Sequence, residues 1–223
     1  SITYNQNGDI IVAGGTESSD MPTTAGSLQP NYQGGQTDPW VMVMDSEATE
    51  IMYCSYWGTP GDDQAYMVEL DSDGNIHLFG QTTSGNDYII NAGYSNPNSG
   101  QFISKLNPTL DNVIWSTCFG TGSGIPDISP TAFLVDLCDR IYLSGWGGPT
   151  GNTGLTTDGL EVTDDAYQNT TDGGDFYLMA IADDASILVY ASYFGGDESN
   201  EHVDGGTSRF DRKGKVYQSV CAG

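Results

Sequence analysis

The residues best suited to chemistry are carboxylates that cluster in a loop following one recurring strand-like segment. The loop occurs three times, with Asp62 and Asp63 in the first copy, Asp127 in the second, and Asp197, Glu198, Glu201 and Asp204 in the third. Carboxylates without a nearby cation in sequence form a solvated loop, bind a hard cation, or act as an acid–base pair. If the loops hold calcium, the candidate cofactor, its ligands are expected among Asp62, Asp63, Asp197, Glu198 and Asp204.

Two further side chains are candidates for binding. His202 lies inside the third acidic loop, where a histidine flanked by carboxylates can serve as a general base or a metal ligand. It has neither a second histidine nor a nucleophile close to it in sequence, so it defines no site alone. Trp146 opens a long loop at a place where the other copies have Gly15 and Gln81. Trp146 therefore either contacts a ligand or partner, or packs beneath its own loop.

Other motifs point away from catalysis. Asp71–Gly74 resembles the start of a calcium loop, but its counterpart Asp211–Gly214 has Lys213 where a ligand should be. The recurring Asn or Asp predicts instead a turn in which the side chain bonds its own backbone. His77 is an alternate residue of a strand and is expected to be structural. No nucleophile elbow, zinc-protease motif, P-loop or dinucleotide-binding pattern is present in the sequence, so we predict no enzymatic activity.

These residues are carried by a sequence repeat. One phrase occurs at Gly8–Gly14, Gly74–Gly80 and Arg140–Gly145, and a second at Tyr53–Gly58, Trp115–Gly120 and Tyr190–Gly195. Each unit contains four runs with the length and alternation of half-buried strands. Tandem four-stranded units predict an all-β fold, a β-propeller with four-stranded antiparallel blades, and the units are long for the alternative β-solenoid. The expected blade repeats span about 5–70, 71–135 and 136–210, with part of a fourth at 211–223.

Aromatic residues recur at fixed places in the units, as packing between blades requires. The expected core aromatics are Trp40, Phe102, Phe176, Trp57, Phe119, Phe194, Tyr53, Trp115 and Tyr190. Cys54 and Cys118 share one recurring strand and are read as small core residues before disulfide partners. The loops at 15–39, 81–101 and 146–174 differ in length between units, and such variable loops tend to carry binding functions.

The charge of the chain limits its partners. Thirty acidic and six basic residues give a net charge of −24, which repels nucleic acid and anionic membranes. No apolar run approaches the roughly 20 residues of a membrane-spanning helix. The acidity, the turn-rich composition and the low lysine content suit an extracellular protein. Three units and a fragment are fewer than the usual propeller contains, so we expect the chain to be part of a longer protein.

The units also resemble a known family, the bacterial β-propeller repeat called the SBBP repeat. The phrases that carry this resemblance are Gly74–Gly80, Met21–Gln29, Gly34-Gly35 and Tyr190–Gly196. Cys138–Gly148 and Phe210–Cys221 are similar to the version in large secreted surface proteins of gliding Bacteroidetes-type bacteria. The second unit departs from the pattern, with Tyr88–Gly93 in place of the Pro-Thr-Thr phrase. The resemblance implies an exported, multidomain cell-surface protein of the type IX secretion route, without established catalytic activity.

The expected function is therefore that of a non-enzymatic extracellular propeller module, a structural spacer or a platform for adhesion, as in gliding motility. Its expected partners are other domains of the same longer chain, other cell-surface proteins, or glycans. The alternative is a carbohydrate-binding or carbohydrate-active propeller whose rim carboxylates converge on a sugar.

Overall fold

The chain is an all-β protein. The computed structural model describes residues 1–148, 154–197, 201–202, 208–211, 213, 215–218 and 221–222. Within these ranges, helical structure is confined to a single 3₁₀ turn at Gly85–Tyr88. Three four-stranded antiparallel sheets confirm the predicted fold class and form propeller-like blades.

In each large sheet, every strand pairs with the strands next to it in sequence. Sheet I contains β1 (Ile2–Tyr4), β2 (Ile10–Thr16), β3 (Asp38–Met44) and β4 (Ile51–Tyr56). Sheet II contains β5 (Asp63–Leu70), β6 (Ile76–Thr82), β7 (Gln101–Leu106) and β8 (Val113–Phe119). Sheet III contains β9 (Ser129–Val135), β10 (Ile141–Trp146), β11 (Phe176–Ile181) and β12 (Leu188–Phe194). Four short strands follow, β13 (Glu201–His202), β14 (Ser208–Phe210), β15 (Val216–Gln218) and β16 (Cys221–Ala222).

The sheets are offset by one strand from the sequence units. The run predicted at Gln64–Leu70, the last of the first unit, lies in β5, which opens sheet II and pairs with β6. The tight turn at Asp71–Gly74 joins β5 to β6, so this strand finds its neighbour on its C-terminal side. Each sequence unit therefore contributes strands to two successive sheets.

Apolar packing joins the sheets on both faces of sheet II. Leu78 and Phe79 are adjacent in β6 and point to opposite faces, as strand geometry requires. Leu78 is buried in a cluster that includes Val41 of sheet I. Phe79 is buried in a second cluster that includes Leu143 of sheet III. Sheet II is thus enclosed between its neighbours.

Five of the nine expected core aromatics are buried, three are half-buried and one is exposed. The half-buried members are Trp40, Tyr53 and Tyr190. The buried members are Trp57, Phe102, Trp115, Phe119 and Phe176. The prediction for Phe194 is wrong, because its side chain is 43% exposed and contacts Tyr167. The preceding Tyr193 takes the buried face of β12, which leaves Phe194 on the other face.

The long loops lie along the outer edges of the sheets. In sheet I, the Thr24 amide donates to the Cys54 carbonyl at 3.0 Å, and Tyr56 donates to Gln29 at 3.1 Å. The equivalent bonds in sheets II and III join Ile90 to Ser116, Asn96 to Cys118, Thr163 to Ala191 and Tyr193 to Gln168. The fourth strand of each sheet is therefore not a bare edge.

Candidate functional site

The acidic loops lie at the junctions between successive sheets. We call the loop at Gly58 between sheets I and II the first junction, that at Gly120 between sheets II and III the second, and that at Gly195 after sheet III the third. At the first junction, the two neighbouring acids diverge: Asp63 is only 1% exposed, whereas Asp62 is exposed. Asp62 accepts the Gln36 amide at 2.6 Å. Asp62 and Asp63 therefore do not form the expected joint site.

Asp63 is instead placed beside Asp38, the first residue of β3. The Asp63 amide donates to the Thr37 carbonyl at 2.9 Å, which sets the two acids next to each other across the junction. Both are buried, with Asp38 0% exposed. Oδ2 of Asp63 accepts the amide and the hydroxyl of Thr59, each at 2.6 Å, and Oδ2 of Asp38 accepts the Gln33 amide. Oδ1 of each accepts no hydrogen bond from the described residues.

Burial makes this pair hard to ionise. Desolvation, reinforced by the charge of Asp63, raises the pKa of Asp38 to about 6. Desolvation also raises the pKa of Asp63, against the bonds from Thr59. The nearby Tyr88 has a pKa well above its ordinary value, first because it is buried and then because of Asp63 and Asp38. The first junction is thus a dry, oxygen-rich site with excess negative charge.

The third junction repeats the design with Asp175 and Glu201. The Glu201 amide donates to the Gly174 carbonyl at 3.2 Å, and the two acids are 0% and 4% exposed. Oε1 of Glu201 accepts the Gly196 amide at 3.0 Å, and Oδ2 of Asp175 accepts Gln168 Nε2 at 2.9 Å. Oδ1 of Asp175 accepts no hydrogen bond from the described residues. Desolvation, with a contribution from Glu201, raises the pKa of Asp175 to about 6.

The second junction has one carboxylate in place of two. Asp127 is 3% exposed, and its two oxygens accept the amide and the hydroxyl of Thr121 at 2.9 and 2.6 Å. Gly14 pairs with Trp40, two residues after Asp38, and the equivalent Gly80 pairs with Phe102, two residues after Gly100. Gly100 therefore occupies the position of Asp38 at the second junction. A Cβ at Gly100 would clash with the backbone of Ile125. A second acid is therefore excluded by a close approach of main chain.

The remaining predicted residues do not join these pairs. Asp197 is exposed. Glu198 and Asp204 lie outside the described residues, as does the side chain of His202, whose backbone pairs with Cys221. Trp146 is half-buried at the end of β10, in register with Ser129 and Phe176. Across the described ranges, no group of three or more His, Cys, Asp or Glu residues is placed to hold a metal ion.

Sequence reasoning missed Asp38 and Asp175. Their signal was available: each is an aspartate at the start of the third strand of its sheet, and the second unit has Gly100 there. Two acids far apart in sequence, such as Asp38 and Asp63, give no local pattern. Their pairing depends on how one sheet meets the next.

The turn interpretation of Asp71 is confirmed. Its Oδ1 accepts the amides of Asp73 and Asn75 at 3.0 and 2.8 Å. The same pattern occurs at Asn5, Asp136 and Asp211. Oδ2 of Asp71 also lies 2.7 Å from Lys105 Nζ and 3.3 Å from Nε2 of the buried His77.

This network explains the histidine. Burial by itself would raise the pKa of Asp71. Hydrogen bonds from His77, Lys105 and Asn75 outweigh it and hold this pKa well below its ordinary value. Burial lowers the pKa of His77, partly offset by Asp71. His77 is 0% exposed and packs edge-on against Trp115. The structural role expected for it is confirmed.

The described surface includes a larger and a smaller pocket that bear on the candidate site. The larger pocket, about 480 Å³, lies among the turns that follow the first strand of each large sheet, and its lining includes Asn5, Asp71 and Asp136. The smaller, about 220 Å³, lies between sheets I and II. Its walls include Gln33, Trp57, Gly58, Thr59, Asp87 and Tyr88. Gly58 and Thr59 place this smaller pocket directly beside the acids of the first junction.

Cys54 and Cys118 are buried and form no disulfide, in agreement with their interpretation as small core residues. Burial raises the pKa of Cys54 to about 11. Cys138 is exposed and also free. Among the described residues, none of the helical structure is long and apolar enough to cross a membrane.

No protein-family model matches this chain, and no curated protein matches it either.

Proposed function

We propose that this chain is a non-enzymatic scaffold module of a secreted cell-surface protein, which holds other domains or a surface partner in fixed positions. The observation that carries the proposal is the fixing of the long loops to the outer strands. Thr24, Ile90 and Thr163, one in each loop, donate backbone hydrogen bonds to the fourth strand of their own sheet. Loops held in this way stiffen the edge and block unwanted strand addition.

The burial of the acids also supports a structural role. Hydrolysis of a glycosidic bond needs two carboxyl groups that contact the sugar, one as acid and one as base or nucleophile. Asp38 and Asp63 are 0% and 1% exposed, and each already binds a loop amide. Their geometry therefore favours a role in fastening loops to sheets rather than in hydrolysing a polysaccharide.

The extracellular setting and the partners rest on composition and on the resemblance to the SBBP repeat. A charge of −24 keeps an exposed module soluble and apart from anionic surfaces. Export by the type IX route, a role in adhesion, and docking to other domains of the same longer chain belong to this proposal.

Hydrogen exchange of the purified chain tests the scaffold directly. We expect the amides of Thr24, Ile90 and Thr163 to exchange as slowly as those of the adjoining fourth strands, because they share hydrogen bonds with them. A panel of glycosides and polysaccharides incubated with the same sample should show no turnover. Exchange of the three amides within seconds, or turnover abolished by Asp63→Asn, would overturn the proposal.

Glycan binding is a second candidate, favoured by the pocket between sheets I and II. Its 220 Å³ is of the order of one sugar ring, and it combines Trp57 and Tyr88 with the polar Gln33 and Asp87. A glycan array should then give hits that Gln33→Ala removes and Gln36→Ala, outside the pocket lining, retains. An array without hits would reject this candidate and leave the scaffold proposal standing.

A further inference from the structure

We propose that the first and third junctions each bind one calcium ion, between Asp38 and Asp63 and between Asp175 and Glu201. The proposal does not depend on the scaffold function. It rests on two buried acid pairs of one design, on oxygens left without donors, and on a second junction that lacks the pair.

Three of the four acids carry a buried negative charge that no Lys or Arg of the described residues balances. Asp38, Asp63 and Asp175 are at most 1% exposed, and none forms an ion pair with a Lys or Arg of the described residues. Two carboxylates buried side by side repel each other and lose hydration, which is costly unless a cation or proton is supplied. Asp38 and Asp63 at the first junction, and Asp175 at the third, therefore require a positively charged partner.

Three carboxylate oxygens at these junctions, one each of Asp38, Asp63 and Asp175, are buried without a hydrogen-bond donor among the described residues. At the first junction, Oδ2 of each acid is engaged by a loop donor, and Oδ1 of each is buried without one. At the third junction, Oδ1 of Asp175 is buried without a donor. A Cβ placed on Gly195 would clash with this atom and lie 2.7 Å from Oε2 of Glu201. The two carboxyl groups thus face one small space beside a glycine.

The oxygen ligands of these junctions favour calcium over other cations. A hard cation takes oxygen ligands only, and calcium accepts six to eight of them in irregular geometry. Magnesium keeps several waters in a near-ideal octahedron, which suits a buried pair poorly. Calcium can be held by the two carboxylates, with backbone carbonyls and water completing its shell.

The second junction serves as an internal control. It keeps the loop design, since Thr121 binds Asp127 as Thr59 binds Asp63. Its second acid is replaced by Gly100, and both oxygens of Asp127 are satisfied. Because a single carboxylate with both oxygens hydrogen-bonded has no free oxygen and no second acid beside it, no calcium is expected at the second junction.

Calorimetric titration of the chelator-treated chain with CaCl2 at pH 7.5 tests the proposal. We expect two calcium ions per chain, one in Asp38→Asn or Asp175→Asn, and none in the double variant. Asp62→Asn removes an exposed acid of the same loop, and Asp127→Asn removes the buried acid of the second junction. Both controls should still bind two ions.

A second measurement protects the test against variants that fail to fold. Terbium added to the unaltered chain should give emission sensitised by Trp57, which precedes Gly58 at the first junction, and CaCl2 should displace it. The melting temperature should fall when a chelator is added. Absence of saturable calcium binding, with the acid pairs stabilised by a shared proton alone, would overturn the proposal, as would unchanged stoichiometry in the double variant.

Discussion

The first and second junctions have the same construction and differ at one position. In both, an acid at the entry to a new sheet accepts the amide and hydroxyl of the threonine that follows a glycine. Opposite Asp63 stands Asp38, whereas opposite Asp127 the chain has Gly100. The repeat therefore supplies the geometry of the loop, and a single residue decides whether the junction holds one buried charge or two.

The reason for the difference is steric. The backbone of Ile125 and Pro126 occupies the space that a Cβ of Gly100 would need. At Asp38, the corresponding space is shared with Gly58, whose missing side chain makes room for the carboxyl group. Gly58 thus leaves space for an acid at the first junction, whereas the crowding at Gly100 leaves none at the second.

The largest expected effect compares the apolar cores on either side of sheet II. Phe79→Ala should lower the free energy of unfolding by about 3–5 kcal/mol and Leu78→Ala by about 2–5 kcal/mol, because each leaves a cavity in a different cluster. Urea denaturation measures both. Ile187→Ala, at a 59% exposed residue, should change stability by less than about 0.5 kcal/mol. A harmless Leu78 or Phe79 variant would contradict the enclosure of sheet II.

The next effect sharpens the steric account of the first junction. Gly58→Ala should cost about 3 kcal/mol, because its Cβ would clash with the buried carboxyl group of Asp38. The matched control is Gly14→Ala, whose Cβ would meet Trp40 at an ordinary 3.5 Å. Chemical denaturation of the two variants measures the difference. Equal stability of the two would show that Asp38 does not fill the space beside Gly58.

The pH dependence of stability reports on the buried acids Asp38 and Asp175. In chelator, a folded-state pKa of about 6 for Asp38 and Asp175 means that the native state holds their protons more tightly than the unfolded chain. Their contribution is complete below the unfolded pKa of about 4 and is lost as pH rises to about 6. The loss should be on the order of 2 kcal/mol per acid.

The readout is the difference between the unaltered chain and the Asp38→Asn, Asp175→Asn double variant. His77 has a lowered pKa and destabilises the fold as pH falls below about 6.5, but it is common to both proteins. Without calcium, the double variant should be the more stable at pH 7.5 and should lose this advantage at pH 4. Parallel stability profiles from pH 4 to 7.5 would refute the assignment.

The smallest effect concerns an exposed contact between two of the tight turns that join the first and second strands of the sheets. The Asp139 carboxylate accepts the amide and hydroxyl of Ser72 at 2.7 and 2.6 Å, which ties a turn of sheet III to one of sheet II. Asp139→Asn should cost about 0.5 kcal/mol, since exposed contacts of charged groups contribute little. Thermal melts against Asp20→Asn, which alters a bond within one loop, provide the comparison. A loss of several kcal/mol would mean that the turns, and not the cores, join the sheets.

Much of the fold could be predicted because it is local. The alternation of apolar residues predicted the strands, and the recurring Asn or Asp predicted turns such as that at Asp71. The offset of the sheets from the sequence units could not be predicted, because Gln64–Leu70 has the same pattern whichever neighbour it pairs with. The exposure of Phe194 was missed because recurrence in sequence does not report which face another sheet covers.

The candidate site was predicted only in part. Asp63 was identified from its acidic loop, but its expected neighbour Asp62 points to solvent, and its actual partner Asp38 lies at the start of another strand. Carboxylates close in sequence within a strand or loop often diverge, because successive side chains point to opposite faces.

The sequence by itself determined the all-β class, the strand positions, the turn chemistry and the acidity, since these depend on residue type and short-range spacing. Tertiary structure decided which strands share a sheet, which aromatics are covered, and which acids meet at the junctions. Pairs such as Asp38 with Asp63 form only when two sheets pack side by side. At the second junction, the backbone next to Gly100 leaves no space for a side chain, so no such pair forms.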